Sequence, residues 1–136
     1  MEGDKKKILI VDDDNFLLDM YALKFSQTNF EVHTASSGAE GIEKLQGGLV
    51  PDVILLDIIM PEMDGFEMLE KMRKENMDSS AVAIILSNKS QQADIDRGQA
   101  LGVAGYIVKA NSTPKEVIDQ VVNILSKKAA PAEAGQ

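Results

Sequence analysis

Four short runs of β-branched and aliphatic residues recur along this chain, separated by stretches with helical spacing. They occupy residues 8–11, 53–56, 82–86 and 106–108, and a weaker fifth lies at 31–35. Near-continuous apolar runs this short fit strands covered on both faces, the environment of a parallel sheet. Between them, Phe16, Met20 and Leu23 follow i, i+4, i+7 spacing. Met68, Leu69 and Met72 share one helical face, as do Val117, Val121 and Ile124. Helix starts are marked chemically. Ser37 with Glu40 and Thr113 with Glu116 read as capping boxes, the second with Pro114 in the first helical position, and Asp64 with Glu67 is a weaker version. Gly47-Gly48 and Gly102 mark helix ends. The order is βα repeated five times, which predicts an α/β fold with a parallel sheet and helices on both faces. Residues 91–101 are polar around a central Gly98 and offer only Ala93, Ile95, Ala100 and Leu101 for burial, so a loosely held helix is expected there.

The chain has 136 residues, enough to bury one sizeable core, and 44% hydrophobic with 26% charged residues is ordinary for a globular domain. One domain over residues 5–127 is expected, followed by an Ala-, Pro- and Glu-rich tail at 128–136 with nothing to bury. Without cysteine, disulfides and thiolate metal sites are excluded, and the expected location is cytoplasmic. A net charge of −8 argues against direct binding of nucleic acid, and no apolar run approaches the ~20 residues that span a bilayer. The basic cluster Lys5-Lys6-Lys7 reads as a solvated approach to the first strand.

In parallel α/β sheets ligands gather beyond the carboxyl ends of the strands. Here the first strand runs into Asp12-Asp13-Asp14, the third ends at Asp57, the fourth at Ser87, and the fifth is followed by Lys109. If the strands are parallel, all these groups emerge on one edge. Crowded carboxylates repel, and a hard divalent cation relieves them through oxygen ligands. An aspartate can attack phosphorus to form an acyl phosphate, and a lysine and a hydroxyl can meet the charge on the phosphoryl oxygens. Taken singly, each residue has a plainer reading. One aspartate of 12–14 is expected to cap the helix beginning near Asn15; Ser87 alone would be a turn residue and Lys109 alone a solvated one. A calcium loop from Asp12 fails, because its twelfth position is Leu23 rather than Glu. His33 is expected to be a strand residue outside the site.

The ordered set Ile8-Leu9-Ile10-Val11-Asp12-Asp13, Asp52-Val53-Ile54-Leu55-Leu56-Asp57, Met60-Pro61-Glu62-Met63-Asp64-Gly65, Ile84-Ile85-Leu86-Ser87, Gly105-Tyr106 and Val108-Lys109 resembles the receiver domain of bacterial two-component response regulators. The single-domain chemotaxis type is nearest. The resemblance implies a flavodoxin-like (βα)5 sheet and a phosphoryl group passed to Asp57 from a sensor histidine kinase or phosphotransfer protein. It implies Mg2+, or Mn2+ in its place, on Asp13, Asp57 and the backbone carbonyl of Ile59, with Asp12 assisting through water. Lys109 would contact the phosphoryl group, Ser87 would move toward it, and Tyr106 would swing inward. The surface around the fourth helix, fifth strand and fifth helix would then meet a downstream effector protein.

Four positions depart from the common pattern. Ala110 stands where proline is usual, often after a cis bond, Ser87 where threonine is commoner, and Asn88 where a small alanine is frequent, narrowing access to Asp57. Ile59 cannot position an attacking water, so a long-lived aspartyl phosphate is expected. The same residue argues against a phosphatase of the haloacid-dehalogenase type, which needs an aspartate there as general acid. A flavin-binding domain of the same architecture is disfavoured by three acidic residues where a phosphate loop should be.

Overall fold

The computed structural model describes residues 5–77 and 81–128 of the chain. The elements are β1 (Lys6–Val11), α1 (Asn15–Ser26), β2 (Phe30–Ala35), α2 (Gly38–Gln46), β3 (Val53–Leu56), α3 (Gly65–Lys74), β4 (Val82–Ser87), α4 (Gln92–Ala100), β5 (Gly105–Val108), a 3-10 turn at Lys109–Asn111, and α5 (Pro114–Lys128). The five strands form one parallel sheet in the order β2-β1-β3-β4-β5, the flavodoxin-like arrangement. Apart from Lys128, the expected tail at 128–136 lies outside the described residues.

Alternation along the strands builds a core on each face. Ile8, Ile10, Val53, Leu55, Ile84 and Leu86 pack with Leu18, Tyr21, Phe25, Val117 and Val121 of α1 and α5. Leu9, Val11, Ile54, Leu56 and Ile85 pack with Ile42 and Leu45 of α2 and with Phe66, Met68, Leu69 and Met72 of α3. Every residue of β3 and β4 is buried, which is why those runs read as continuous rather than alternating.

The chain reverses direction across the sheet between β1 and β3. Asp12 N–H donates to the Ala35 carbonyl and Asp57 N–H to the Val11 carbonyl, so the residues just past β1 and β3 stay in ladder register. The capping signals hold with one difference. Ser37 accepts from the Glu40 amide, but the Glu40 carboxylate turns to the Ser36 amide instead of closing the box on Ser37. Thr113 with Glu116 and Asp64 with Glu67 make both bonds, the latter pair stronger than the sequence suggested. Gly102 follows α4 at φ +82, the left-handed position that glycine adopts without strain.

Two helices differ from expectation in what they bury. In α1 the stripe Phe16, Met20, Leu23 marks the helix but not its inner face, since Phe16 is 79% and Leu23 58% exposed while Leu18, Tyr21 and Phe25 are buried. In α4 only Gly98 is buried, and Ala93 and Ala100 are exposed. A Cβ on Gly98 would meet Ile85 Cδ1 at 3.0 Å and Tyr106 Cδ2 at 3.4 Å, so α4 lies against the sheet through its backbone rather than through side chains.

Candidate functional site

The three consecutive aspartates after β1 have three separate roles. Asp14 caps α1, its carboxylate accepting from the Leu17 amide at 3.2 Å. Asp12 is 3% exposed and turns inward, accepting from the Asp14 amide at 2.9 Å. Asp13 lies at the exposed rim between them. Asp57 follows β3 directly, is 7% exposed, and accepts from the Ile59 amide at 3.2 Å.

Lys109 reaches across from the end of β5. Its Nζ donates to Asp12 Oδ2 at 2.7 Å and to Asp57 Oδ2 at 3.0 Å. The Lys109–Ala110 bond is trans, as are the other described peptide bonds, and the lysine meets both carboxylates without a cis turn. Burial pushes the Asp12 carboxyl up, with the Lys109 ammonium and the Asp14 amide only partly opposing it. For Lys109, burial acts downward, but the hydrogen bonds and charges of Asp12 and Asp57 outweigh it and hold the amine above its usual value. The asymmetry follows from one cation being shared by two buried anions.

Carboxylate oxygens of Asp12, Asp13 and Asp57 all lie within 4.8 Å of one another. Three formal negative charges face one positive charge, leaving two that a divalent cation would balance. Hard oxygen donors with one carboxylate open to solvent suit an ion that keeps several waters, so the residues fit Mg2+.

Ser87, fully buried, ends β4 beside this edge, its Oγ accepting from the Lys89 amide at 3.3 Å. Tyr106 is partly buried in β5, and its hydroxyl donates to the Lys89 carbonyl at 2.6 Å. Burial, then the charges of Asp94 and Asp57, push its phenol up to about 12. Ile59 is 54% exposed beside Asp57. His33 sits in β2, paired with Glu31 at 2.7 Å, and takes no part in the cluster. The structure therefore gathers Asp12, Asp13 and Asp57 at one rim, with Lys109 in contact with Asp12 and Asp57, and sets Ser87 at the end of β4 and Tyr106 in β5 beside the loop that carries Lys89.

Two further residues bear on the site. Gly65 lies against the backbone of Asp57, where a Cβ would sit 2.4 Å from the Asp57 carbonyl oxygen. In the sequence it closes the run at 60–65 that carries the family resemblance, but nothing there shows this close approach. Asn88, read as a neighbour of the Asp57 opening, has its side-chain oxygen turned to the Ala110 amide at 2.8 Å.

A model of the family described as "response regulator receiver domain" matches residues 8–122. The chain belongs to the response regulator receiver domain family. Among curated relatives, the response regulator SaeR of Staphylococcus aureus is 32% identical over 120 residues, which is 88% of this chain and 50% of that protein. The chain thus spans about half the length of the curated relatives it matches. A CheY-like receiver domain protein from Methanospirillum hungatei superposes with a TM-score of 0.84 at 27% identity, covering 93% of this chain and 98% of the other. The chemotaxis response regulator CheY4 of Vibrio cholerae gives 0.81 at 27% identity, covering 89% and 99%. Receiver domains are signalling modules rather than conventional enzymes, and the family places this one in two-component signalling. Among the described residues, no helix is long and apolar enough to cross a membrane.

Proposed function

We propose that this receiver domain, spanning residues 5–127, is phosphorylated on Asp57 by the phosphohistidine of a sensor histidine kinase or phosphotransfer protein. The observation that carries the reading is the contact of Lys109 Nζ with both Asp12 and Asp57, joining three strand ends at one acidic rim. An Asp57 carboxylate oxygen forms the new bond to phosphorus as the phosphorus–nitrogen bond breaks, its electron pair leaving with the imidazole. Asp13, Asp57 and the Ile59 carbonyl would hold Mg2+ (Mn2+ can replace it), with Asp12 assisting through water. The bound ion would screen the carboxylates and polarise the phosphoryl oxygens. Lys109 meets charge on those oxygens, and its elevated pKa keeps it cationic at neutral pH.

Ser87 and Tyr106 are the switching pair. Both bond to Lys89, Ser87 through the amide and Tyr106 through the carbonyl, so displacement of Ser87 is felt at Tyr106. The effector protein would read the surface of α4, β5 and α5. The partners are proteins rather than nucleic acid or membrane, in a cytoplasmic setting. Loss of the phosphoryl group is slow and self-catalysed, since Ile59 at the rim carries no polar group to orient water.

Intact mass after treatment with acetyl phosphate and Mg2+ tests the reading. The parent should gain one phosphoryl group and Asp57→Asn none. A gain in both, or in neither, refutes it.

A further inference from the structure

The turn that carries Lys109 has little to hold it in place from within. The β4–β5 ladder ends at the pair Ser87↔Val108, and Lys109 begins a three-residue 3-10 turn with no side-chain cap and no buried residue. The first amides of a helical turn have no partner inside it. One of them, Ala110 N–H, is taken by Asn88 Oδ1 at 2.8 Å. Asn88 directly follows Ser87, so its side-chain carbonyl extends the β4–β5 pairing one step beyond the sheet.

We propose that Asn88 is a positioning residue for Lys109, fixing the backbone of its turn through the Ala110 amide. The inference rests on the phosphoacceptor role proposed for Asp57. The reasoning turns on which end of Lys109 is anchored by what. Its ammonium is held by Asp12 and Asp57, the groups whose charge and partners change when the site reacts. Those contacts cannot also define where the lysine stays during that change. The backbone end must do so, and beyond Val108 the bond to Asn88 ties it to β4. Both partners are needed: an alanine at 88 would have no acceptor, and a proline at 110 would have no N–H to donate. The neighbouring residue Lys89 bonds to Ser87 and to Tyr106, so the same short loop contacts Ser87, Tyr106 and the turn of Lys109.

The test compares the full chain with Asn88→Ala and Asn88→Asp, the latter keeping an oxygen that can accept the bond. Asn88 is exposed, so neither change opens a cavity. In Asn88→Ala, hydrogen exchange at the Ala110 amide should accelerate about tenfold and the rate of phosphorylation by acetyl phosphate should fall about three- to tenfold, the range of one lost hydrogen bond. The Kd for Mg2+, measured by calorimetry, should change less than about twofold, because Lys109 is not a ligand. Asn88→Asp should recover the protection of the Ala110 amide. An unchanged or faster phosphorylation rate in Asn88→Ala overturns the inference, as does a Kd for Mg2+ that weakens in step with the rate. Failure of the parent itself to be phosphorylated overturns the Asp57 reading instead, which separates the two.

Discussion

Replacing Gly65 by alanine tests whether the phosphoacceptor loop is held by close backbone packing. An ideal Cβ at this position would lie 2.4 Å from the Asp57 carbonyl oxygen, 2.8 Å from Ile58 Cα and 3.1 Å from the Asp57 carbonyl carbon. These are backbone atoms, so no rotamer change relieves the overlap. Opening the shortest contact to the 3.0 Å limit of real Cβ contacts requires a shift of at least about 0.6 Å. The start of α3 resists moving. Gly65 N–H donates to the Ile58 carbonyl at 2.9 Å, and the Asp64–Glu67 capping box pins the first turn with bonds of 2.8 and 2.9 Å. The strain therefore falls on the segment carrying Asp57. Overpacking of this kind costs about 1–3 kcal/mol, seen as a lower urea midpoint. A nucleophile displaced by a fraction of an ångström should also react about 10- to 100-fold more slowly with acetyl phosphate. Gly41→Ala is the control, because its nearest neighbour is the mobile end of Met68, Cε at 2.7 Å, which can move aside for less than about 1 kcal/mol. Equal stability losses in the two variants, or a Gly65→Ala protein that is phosphorylated at the parental rate, would refute the reasoning.

Ile59→Asn places an amide at the exposed rim beside Asp57 and should shorten the lifetime of the aspartyl phosphate severalfold, less than the about 100-fold of a general base because an amide orients water without taking its proton; an already short-lived parent unaffected by the change contradicts this. The Tyr106 phenol, raised to about 12, lies above the ordinary value near 10, so its contribution is intact below pH ~10 and is lost as pH rises toward 12. After allowing for solvent screening of a partly exposed ring, that loss amounts to about 1–2 kcal/mol. Urea midpoints of the parent and Tyr106→Phe should therefore converge over that interval, and parallel curves exclude the effect. Arg97 sits 4.5 Å over the Phe66 ring and 3.1 Å from Glu70, clasping α4 to α3. Arg97→Ala should lower global stability by less than about 1 kcal/mol yet accelerate amide exchange across α4. Unchanged exchange there would show that α4 is held by something else.

The sheet and most of the site were legible because burial and chemistry wrote to the same positions. Strands covered on both faces produce unbroken apolar runs, and their carboxyl ends are where the polar residues stand. The inner face of α1 was not legible, since Phe16, Leu17, Leu18, Met20, Tyr21, Leu23 and Phe25 surround the helix and no single stripe is favoured by periodicity. Which of Asp12, Asp13 and Asp14 caps the helix was equally hidden, because all three carry the same side chain and only the path out of β1 separates them. In α4 the buried position is a glycine, which hydrophobic patterning cannot register. Gly65 and the Asn88–Ala110 bond belong to a different class: each is a contact between segments distant from its partner along the chain or set by backbone proximity, and composition holds no trace of such contacts.

The charge balance at the rim explains how one small reaction could move a whole face of the domain. Asp12, Asp13 and Asp57 against Lys109 leave a formal charge of −2, which a bound divalent cation would cancel. On the proposed reading, an acyl phosphate replaces one negative charge on Asp57 with about two, and the balance fails again by about one. Lys109 is already committed to both carboxylates, so the remaining recourse is a neutral donor. Ser87 is the adjoining hydroxyl, and an oxygen that accepts from the Lys89 amide still carries its own proton to give. Turning that proton toward the phosphoryl group would draw on the same Lys89 whose carbonyl holds Tyr106. An excess of one charge beside the buried carboxylates of Asp12 and Asp57 is worth about a few kcal/mol, comparable to the few hydrogen bonds that fix this loop. A loop tied by so few bonds, beside a helix that buries only Gly98, is the part of the structure that can yield first.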